Sequence, residues 1–291
     1  MSINFNKYHW FAFYASQQIM PAEIRARSMW NTDIAVWREE NGSIHAWKNR
    51  CPHRGMRLSY GFIRGSQLVC LYHGWNYEGA TAQCSYIPAQ PNLKGPKTAC
   101  VRDFACFEKH GLVWISTVAE AEKEPDFSDF GEAEQTIHFC RSIFVNESPG
   151  LVGEILKTSI FIPYGNDLAD GAKLKIETSQ AEHHQTGANY QAIWQSGRDK
   201  KKKTELTCQT EVRNNAILVN HYKDDQGNEG SLIFALLPID DKKTGVHVLF
   251  SGDFSSQSLT SAKRHYAKWA KRMRWSIENR NLQTDSFNPW I

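Results

Sequence analysis

The sequence predicts an α+β protein in which an N-terminal all-β domain precedes an antiparallel sheet with one long C-terminal helix. β-formers cluster around short turns early in the chain, strand-like runs fill its second half, and a helical repeat of apolar residues closes it. Strands followed by a helix are typical of an α+β arrangement. With 291 residues, 41% hydrophobic and 22% charged, the chain is long enough for two domains with their own cores.

The N-terminal strands are predicted from a hairpin signal. Residues 33–39 and 43–48 are rich in β-formers, and they flank the turn Glu40-Asn41-Gly42. An Asn-Gly pair between two such runs favours a tight antiparallel turn. We therefore expect an all-β domain over residues 1–118.

A change of composition indicates the domain boundary. Residues 116–135 are acidic and poor in large apolar side chains. We interpret 119–136 as an acidic linker and 137–291 as the second domain.

The second domain is predicted as a meander followed by a helix. Strand-like runs occur at 190–195, 205–212, 216–222, 231–238 and 246–250. Short turns between consecutive strands favour antiparallel pairing. Residues 259–283 then have an apolar face with helical spacing. That face consists of Ala262, Tyr266, Trp269, Met273 and Ile277, and we interpret it as core packing.

Composition excludes several classes of function. The net charge of +3 indicates no particular partner, and the run Lys200–Lys203 is interpreted as a solvated loop rather than a nucleic-acid site. The seven cysteines have no disulfide-framework spacing, so we expect reduced thiols. The sequence shows no leader pattern and no apolar run long enough for a membrane span. We predict a cytoplasmic protein.

Two short motifs carry the chemistry. Cys51-Pro-His53 is followed by Cys70-Leu-Tyr-His73, so each motif supplies one thiolate and one imidazole. This mixture is the ligand set of a Rieske [2Fe–2S] cluster, in which two cysteines hold one iron and two histidines hold the other. We predict that Cys51, Cys70, His53 and His73 bind such a cluster. The alternative is a zinc site, but zinc sites usually have cysteines paired on one loop and histidines on another.

Beyond these ligands, the first part of the chain resembles the Rieske domain of the Rieske non-heme iron oxygenases. The resemblance is carried by residues 51–59, 70–77, 86–89 and 107–114, and it covers about residues 1–118. Respiratory Rieske proteins have an additional cysteine in each loop, where this chain has Met56 and Leu71-Tyr72. The resemblance implies hydroxylation or demethylation of small organic substrates and a C-terminal helix-grip domain.

The resemblance also implies a mononuclear iron held by two histidines and a carboxylate. The family's pattern is Asp, two residues, His, four or five residues, His, but the corresponding residues 154–164 contain no histidine. Other histidines are scattered, at His138, His183, His184, His221, His247 and His265. Carboxylates without a histidine pair are available at Asp167, Asp170, Glu182, Glu278 and Asp285. We predict that this second iron site is degenerate.

These features predict an electron-transfer subunit of a hetero-oligomeric Rieske oxygenase. The resemblance implies a trimer or a hetero-hexamer in which the cluster reduces the iron of a homologous partner subunit, with electrons from an NAD(P)H-dependent reductase or a ferredoxin. Glu154 is the one acid at the position of the family's acidic bridge. Two alternatives stay open at this point: a self-sufficient monooxygenase with atypical iron ligands, and a redox-responsive ligand-binding protein without catalysis.

Overall fold

The computed structural model describes residues 10–93, 95–116, 136–157, 159, 161, 163–164, 177–184, 187–195, 203–213, 216–225 and 227–280, with the backbone alone over 177–184, 187–195 and 203–204. The chain divides into two compact units, one spanning Lys7–Glu124 and the other spanning Pro125–Ile291 together with Met1–Asn6. The predicted acidic linker lies outside the described residues except for position 136, so its limits stay predictions.

The first unit contains eleven strands among its described residues. They are β1 Trp10–Ala15, β2 Ile24–Met29, β3 Thr32–Arg38, β4 Ile44–Lys48, β5 Phe62–Arg64, β6 Gln67–Val69, β7 Asn76–Glu78, β8 Cys84–Tyr86, β9 Asp103–Phe104, β10 Cys106–Lys109 and β11 Leu112–Ser116. They form three antiparallel sheets with the orders β1-β11-β10, β2-β3-β4-β9 and β5-β6-β7-β8.

The predicted hairpin is confirmed by β3 and β4. Trp37 pairs with His45 across the two strands, and Gly42 in the turn has a φ of +101°, which glycine adopts without a Cβ penalty. Trp37 and Trp47 are fully buried in a core that also contains both motif cysteines. The hairpin therefore packs against the part of the unit that carries the candidate ligands.

A buried arginine joins two of these sheets. Arg38 on β3 donates to the carbonyl of Ile19 at 2.7 Å and to that of Gly42 at 2.8 Å. It also makes a bidentate ion pair with Glu108 on β10, at 2.6 and 2.7 Å. These hydrogen bonds hold the pKa of the Glu108 carboxyl below its usual value. Bidentate Arg–carboxylate pairs fix geometry as well as adding stability.

The second unit is built on a seven-stranded antiparallel sheet. Its elements are β12 Ile137–Val145, α1 Pro149–Lys157, β13 Glu177–His184, β14 Gly187–Gln195, β15 Lys203–Arg213, β16 Ile217–Asp224, β17 Glu229–Asp240, β18 Lys243–Ser251 and α2 Ser256–Glu278. The strand order is β12-β18-β17-β16-β15-β14-β13. The predicted meander is confirmed for β14 to β18, whereas β12 and β13 were not predicted.

The C-terminal helix begins earlier than predicted. The Ser255 side chain accepts a hydrogen bond from the Ser258 amide at 3.3 Å, which caps the first turn and places the helix start at Ser256. All five predicted apolar-face residues are buried, and Trp269 stacks on Phe234 of β17 at 5.3 Å between ring centroids. The interpretation as core packing is confirmed. No described helix has the length and apolarity to span a bilayer.

Two polar side chains lie inside this core. Thr210 on β15 and Asn220 on β16 are paired in register and are 2% and 0% exposed. Thr210 lies two residues after Cys208 and Asn220 two residues after Leu218, so both point to the same face of the sheet as these two core residues. Within the described part of the chain, neither the Thr210 hydroxyl nor the Asn220 amide has a hydrogen-bond partner. Such groups cost free energy when they are removed from water.

Candidate functional site

The first motif lies in a tight loop between β4 and a 3-10 turn at Leu58–Tyr60. The Cys51 amide donates to the Met56 carbonyl at 2.8 Å, and the Gly55 amide donates to the Cys51 carbonyl at 2.9 Å. Two hydrogen bonds of opposite direction therefore close the loop around its cysteine and histidine.

The second motif lies between β6 and β7 and repeats this pattern. The Cys70 amide donates to the Trp75 carbonyl at 2.9 Å, and the Gly74 amide donates to the Cys70 carbonyl at 3.0 Å. The two loops thus have matching backbone hydrogen bonds at equivalent positions, although they are far apart in the chain.

Both loops require a left-handed glycine. Gly55 has a φ of +76° and Gly74 a φ of +67°, which cost other residues backbone strain. A Cβ at Gly74 would lie 3.0 Å from Pro88 Cγ, and one at Gly55 would lie 3.1 Å from Arg50 Nε. Glycine is therefore needed for conformation and also for space.

The two thiols meet in the interior. Cys51 and Cys70 are 3% and 2% exposed, and the Tyr77 hydroxyl lies 3.0 Å from Cys51 Sγ. The hydrogen bond from the Cys70 thiol, followed by that from the Tyr77 hydroxyl, lowers the pKa of Cys51. The same thiol pair and burial raise the pKa of Cys70. One sulfur of the pair is thus stabilised as a thiolate.

Backbone amides add to this stabilisation in both loops. The amides of His53 and Arg54 hydrogen-bond to the Cys51 sulfur and lower its pKa. The amides of Tyr72 and His73 act in the same way on Cys70. Because amide donors favour an anionic acceptor, both loops suit thiolate ligands.

The two histidines form a second pair at the surface side of the loops. His53 Nδ1 and His73 Nδ1 are 3.2 Å apart, and both residues are partly exposed. His53 stacks on Trp75 with an interplanar angle of 7°, and His73 stacks on Tyr72 with ring centroids 3.8 Å apart. The stacking restricts the rotation of both imidazole rings, whose Nδ1 atoms lie next to each other.

The four predicted ligands therefore form two pairs, one of thiols and one of imidazoles. This donor set fits a [2Fe–2S] cluster with a different ligand type on each iron. The stacking of Trp75 and the Tyr77 hydroxyl were not assigned roles from the sequence. Their only signal was their position in the segment 70–77, just after the second motif.

The stretch expected to hold the mononuclear iron forms α1 and the residues after it. Lys157 takes the first histidine position of the family pattern, and its ammonium lies 3.0 Å from Glu154 Oε1. A lysine ammonium has donors but no lone pair for a metal. These residues therefore do not fit an iron site.

Three of the other candidate histidines contact oxygen atoms, and His265 packs against the rings of Tyr164 and Tyr266. His138 Nε2 lies 3.0 Å from the Gly252 carbonyl, His221 Nδ1 2.9 Å from Ser231 Oγ, and His247 Nδ1 2.7 Å from Ser142 Oγ. Among the residues whose side chains are described, no three His, Cys, Asp or Glu are grouped to hold one metal ion. The side chains of His183, His184 and Glu182 lie outside that set, as do Asp167, Asp170 and Asp285.

Comparison with protein families agrees with the geometry of the loops. A family model described as the Rieske [2Fe-2S] domain matches residues 9–104. The chain carries a Rieske [2Fe–2S] domain. The resemblance drawn from the sequence is thereby confirmed for residues 9–104. Several relatives that match this chain are named as monooxygenases or demethylases.

One relative is "Oxidoreductase NdmD" of Pseudomonas putida, which is 38% identical over 116 residues, covering 40% of this chain and 20% of the relative. Another is "Protein TIC 55, chloroplastic" of Pisum sativum, 26% identical over 253 residues, which covers 83% of this chain and 45% of the relative. The chain thus spans less than half the length of these curated relatives. The predicted class of oxidoreductase agrees with the names of several relatives.

The fold of the whole chain is shared with an oxygenase. The crystal structure of dicamba monooxygenase bound to 3,6-dichlorosalicylic acid has a TM-score of 0.71 and 16% identity, and the match covers 97% of this chain and 93% of that one. At this identity the likeness shows the fold.

Proposed function

We propose that this chain is the electron-transfer subunit of a hetero-oligomeric Rieske oxygenase. The observation that carries the proposal is the arrangement of two matched loops, which pair two buried thiols and two partly exposed imidazoles. In this proposal Cys51 and Cys70 hold one iron of the cluster, and His53 and His73 hold the other. Such a cluster accepts and releases one electron at a time.

The surrounding groups set the conditions for that chemistry. The Tyr77 hydroxyl and the backbone amides of both loops donate toward the cysteine sulfurs, and hydrogen bonds to the sulfurs tune the potential of an iron–sulfur cluster. Trp75 and Tyr72 hold the imidazole rings in place. The histidine side is the more exposed side, so it is the side available for electron exchange with another protein.

The second unit supports the role of a subunit that serves a partner. Lys157 stands at the first histidine position of the family pattern, and its ammonium is paired with Glu154. We infer that oxygen is activated on a homologous, iron-bearing subunit in a trimer or hetero-hexamer, with electrons from an NAD(P)H-dependent reductase or a ferredoxin. The product would be a hydroxylated or demethylated small organic molecule.

The names of two relatives support the proposal that electron transfer and oxygen activation occur on different chains. NdmD is named an oxidoreductase, and "Methylxanthine N1-demethylase NdmA" of the same organism is 46% identical over 70 residues, or 24% of this chain. The helix-grip description of the second unit and a cytoplasmic location remain predictions.

Metal analysis tests the proposal directly. The purified chain should contain two irons and two acid-labile sulfides, and His73→Ala should lose the cluster. Iron-dependent turnover should require a copurified homologous subunit. A chain that carries three irons and turns over a substrate alone would instead be a self-sufficient oxygenase, and a chain with one zinc and no sulfide would refute the Rieske assignment of the ligands.

A further inference from the structure

A cavity of about 370 Å³ opens beside the first ligand loop, within the first unit. Its lining includes the proposed ligands Cys51 and His53 and four basic side chains, Lys48, Arg50, Arg54 and Arg102. Two of the proposed cluster ligands therefore form part of its wall. A molecule seated in this cavity would contact the cluster loop itself.

The charged side chains that line the cavity are all basic. Lys48, Arg50, Arg54 and Arg102 are all exposed, and the lining contains no acidic side chain. Among the described residues no ion pair involves these four cations, whereas nearby Arg57 is paired with Asp33. Clustered charges of one sign in a concave surface focus the electrostatic field and attract a partner of the opposite sign.

The backbone fixes two of these cations relative to the loop. The Lys48 amide donates to the Arg102 carbonyl at 2.8 Å, so the two residues lie side by side on neighbouring segments. The side chain of Arg102 also lies over the Phe104 ring, with its guanidinium carbon 5.3 Å from the ring centroid. This basic rim thus keeps a defined position beside His53, outside the ligand loops.

We propose that this cavity is the docking surface for an acidic electron-donor protein. The proposal rests on the proposed function of the cluster, and it names the face on which the donor binds. Carboxylates of the donor would enter between Lys48, Arg54 and Arg102. The donor would lose one electron and the cluster would gain it, with no proton or group transferred. Charge complementarity of this kind mainly raises the rate of association.

The test compares two double charge reversals in the cluster-loaded chain. Lys48→Glu with Arg102→Glu changes the cavity but no proposed ligand. Lys268→Glu with Lys271→Glu makes the same change of net charge at exposed positions of α2. The donor is a reduced plant-type [2Fe–2S] ferredoxin, which is acidic and has a lower potential than a Rieske cluster. Neutral photoreduced 5-deazariboflavin serves as a second reductant, and calorimetry with oxidised ferredoxin measures binding.

We expect the cavity variant to slow reduction by ferredoxin at least tenfold at low ionic strength, to lose most of the salt dependence of the rate, and to weaken binding. Reduction by deazariboflavin should be unchanged, and the α2 variant should behave like the unmodified chain. Equal ferredoxin rates and affinities in all three proteins would overturn the docking surface while leaving the cluster's function intact. A chain without a reducible cluster would overturn the proposed function instead.

Discussion

Replacement of Tyr77 by phenylalanine should lower the reduction potential of the cluster. The hydroxyl lies 3.0 Å from Cys51 Sγ, and the ring is fully buried in the core of the first unit. Tyr77→Phe therefore removes one hydrogen bond to a ligand sulfur and leaves the packing almost unchanged. The reduced cluster carries one more negative charge than the oxidised cluster, so the hydroxyl stabilises the reduced state more.

The size of this shift follows from hydrogen-bond energies. A hydrogen bond to a charged acceptor contributes about 1.5–3 kcal/mol. The sulfur is anionic in both redox states, so we take roughly 1 kcal/mol as the difference between them. With 59 mV for each tenfold change in a one-electron equilibrium, this difference corresponds to about 40 mV.

A potentiometric titration measures the shift. The redox state is monitored by circular dichroism or by the electron paramagnetic resonance signal of the reduced cluster. The control is Tyr60→Phe, which removes a hydroxyl from an exposed tyrosine of the same unit. That control should leave the potential within experimental error. An unchanged or higher potential in Tyr77→Phe, with iron content preserved, would refute the reasoning.

Three further predictions concern stability, measured by denaturant unfolding. Gly74→Ala should cost more than Gly65→Ala, because both residues have a positive φ, worth about 1–2 kcal/mol of strain, but only Gly74 has a neighbour within 4 Å; equal losses would contradict this. Asn220→Leu should raise the free energy of unfolding by about 1–2 kcal/mol, since it removes an unpartnered buried amide, and a loss would show that the amide is satisfied. Glu108→Gln should destabilise the chain by about 1–2 kcal/mol at pH 7. Because Arg38 lowers the pKa of Glu108, this difference should disappear as the pH falls through that lowered pKa; a difference independent of pH would contradict it.

The ligand loops were predictable because their signal is local. Each cysteine and its histidine lie within a few residues of each other, and the loop chemistry depends on the glycine that follows. The hairpin of β3 and β4 and the strands β14 to β18 were predictable for the same reason, since alternation and turn residues are read over short windows. The apolar face of α2 likewise repeats within its own helix.

The missed elements depend on the rest of the fold. In β12 the pairing with β18 shifts register between Phe139 and Arg141, and this irregularity interrupts the alternation that would have indicated a strand. β13 is an edge strand with mostly polar residues. α1 is short and contains Gly150 and Gly153, so its helical conformation is favoured by packing of Val152 and Leu156 rather than by propensity.

The Tyr77 hydroxyl shows the same limit within the site. Tyr77 lies on β7 and its partner Cys51 on the first ligand loop, so the hydrogen bond forms only when these two segments pack together. Tertiary packing also brings the two imidazoles next to each other and gathers the cations around the cavity. Sequence spacing predicts which groups can bind iron, whereas tertiary structure determines what surrounds them.

The local closure of each ligand loop has a consequence for how the cluster is inserted into the protein. Both backbone hydrogen bonds that close each ligand loop join residues of that same loop, so the turn around its cysteine and histidine is specified locally. The entropic cost of ordering these segments is therefore offset during folding, before iron and sulfide bind. A chain stripped of its metal should keep two receptive half-sites and be reconstituted without refolding.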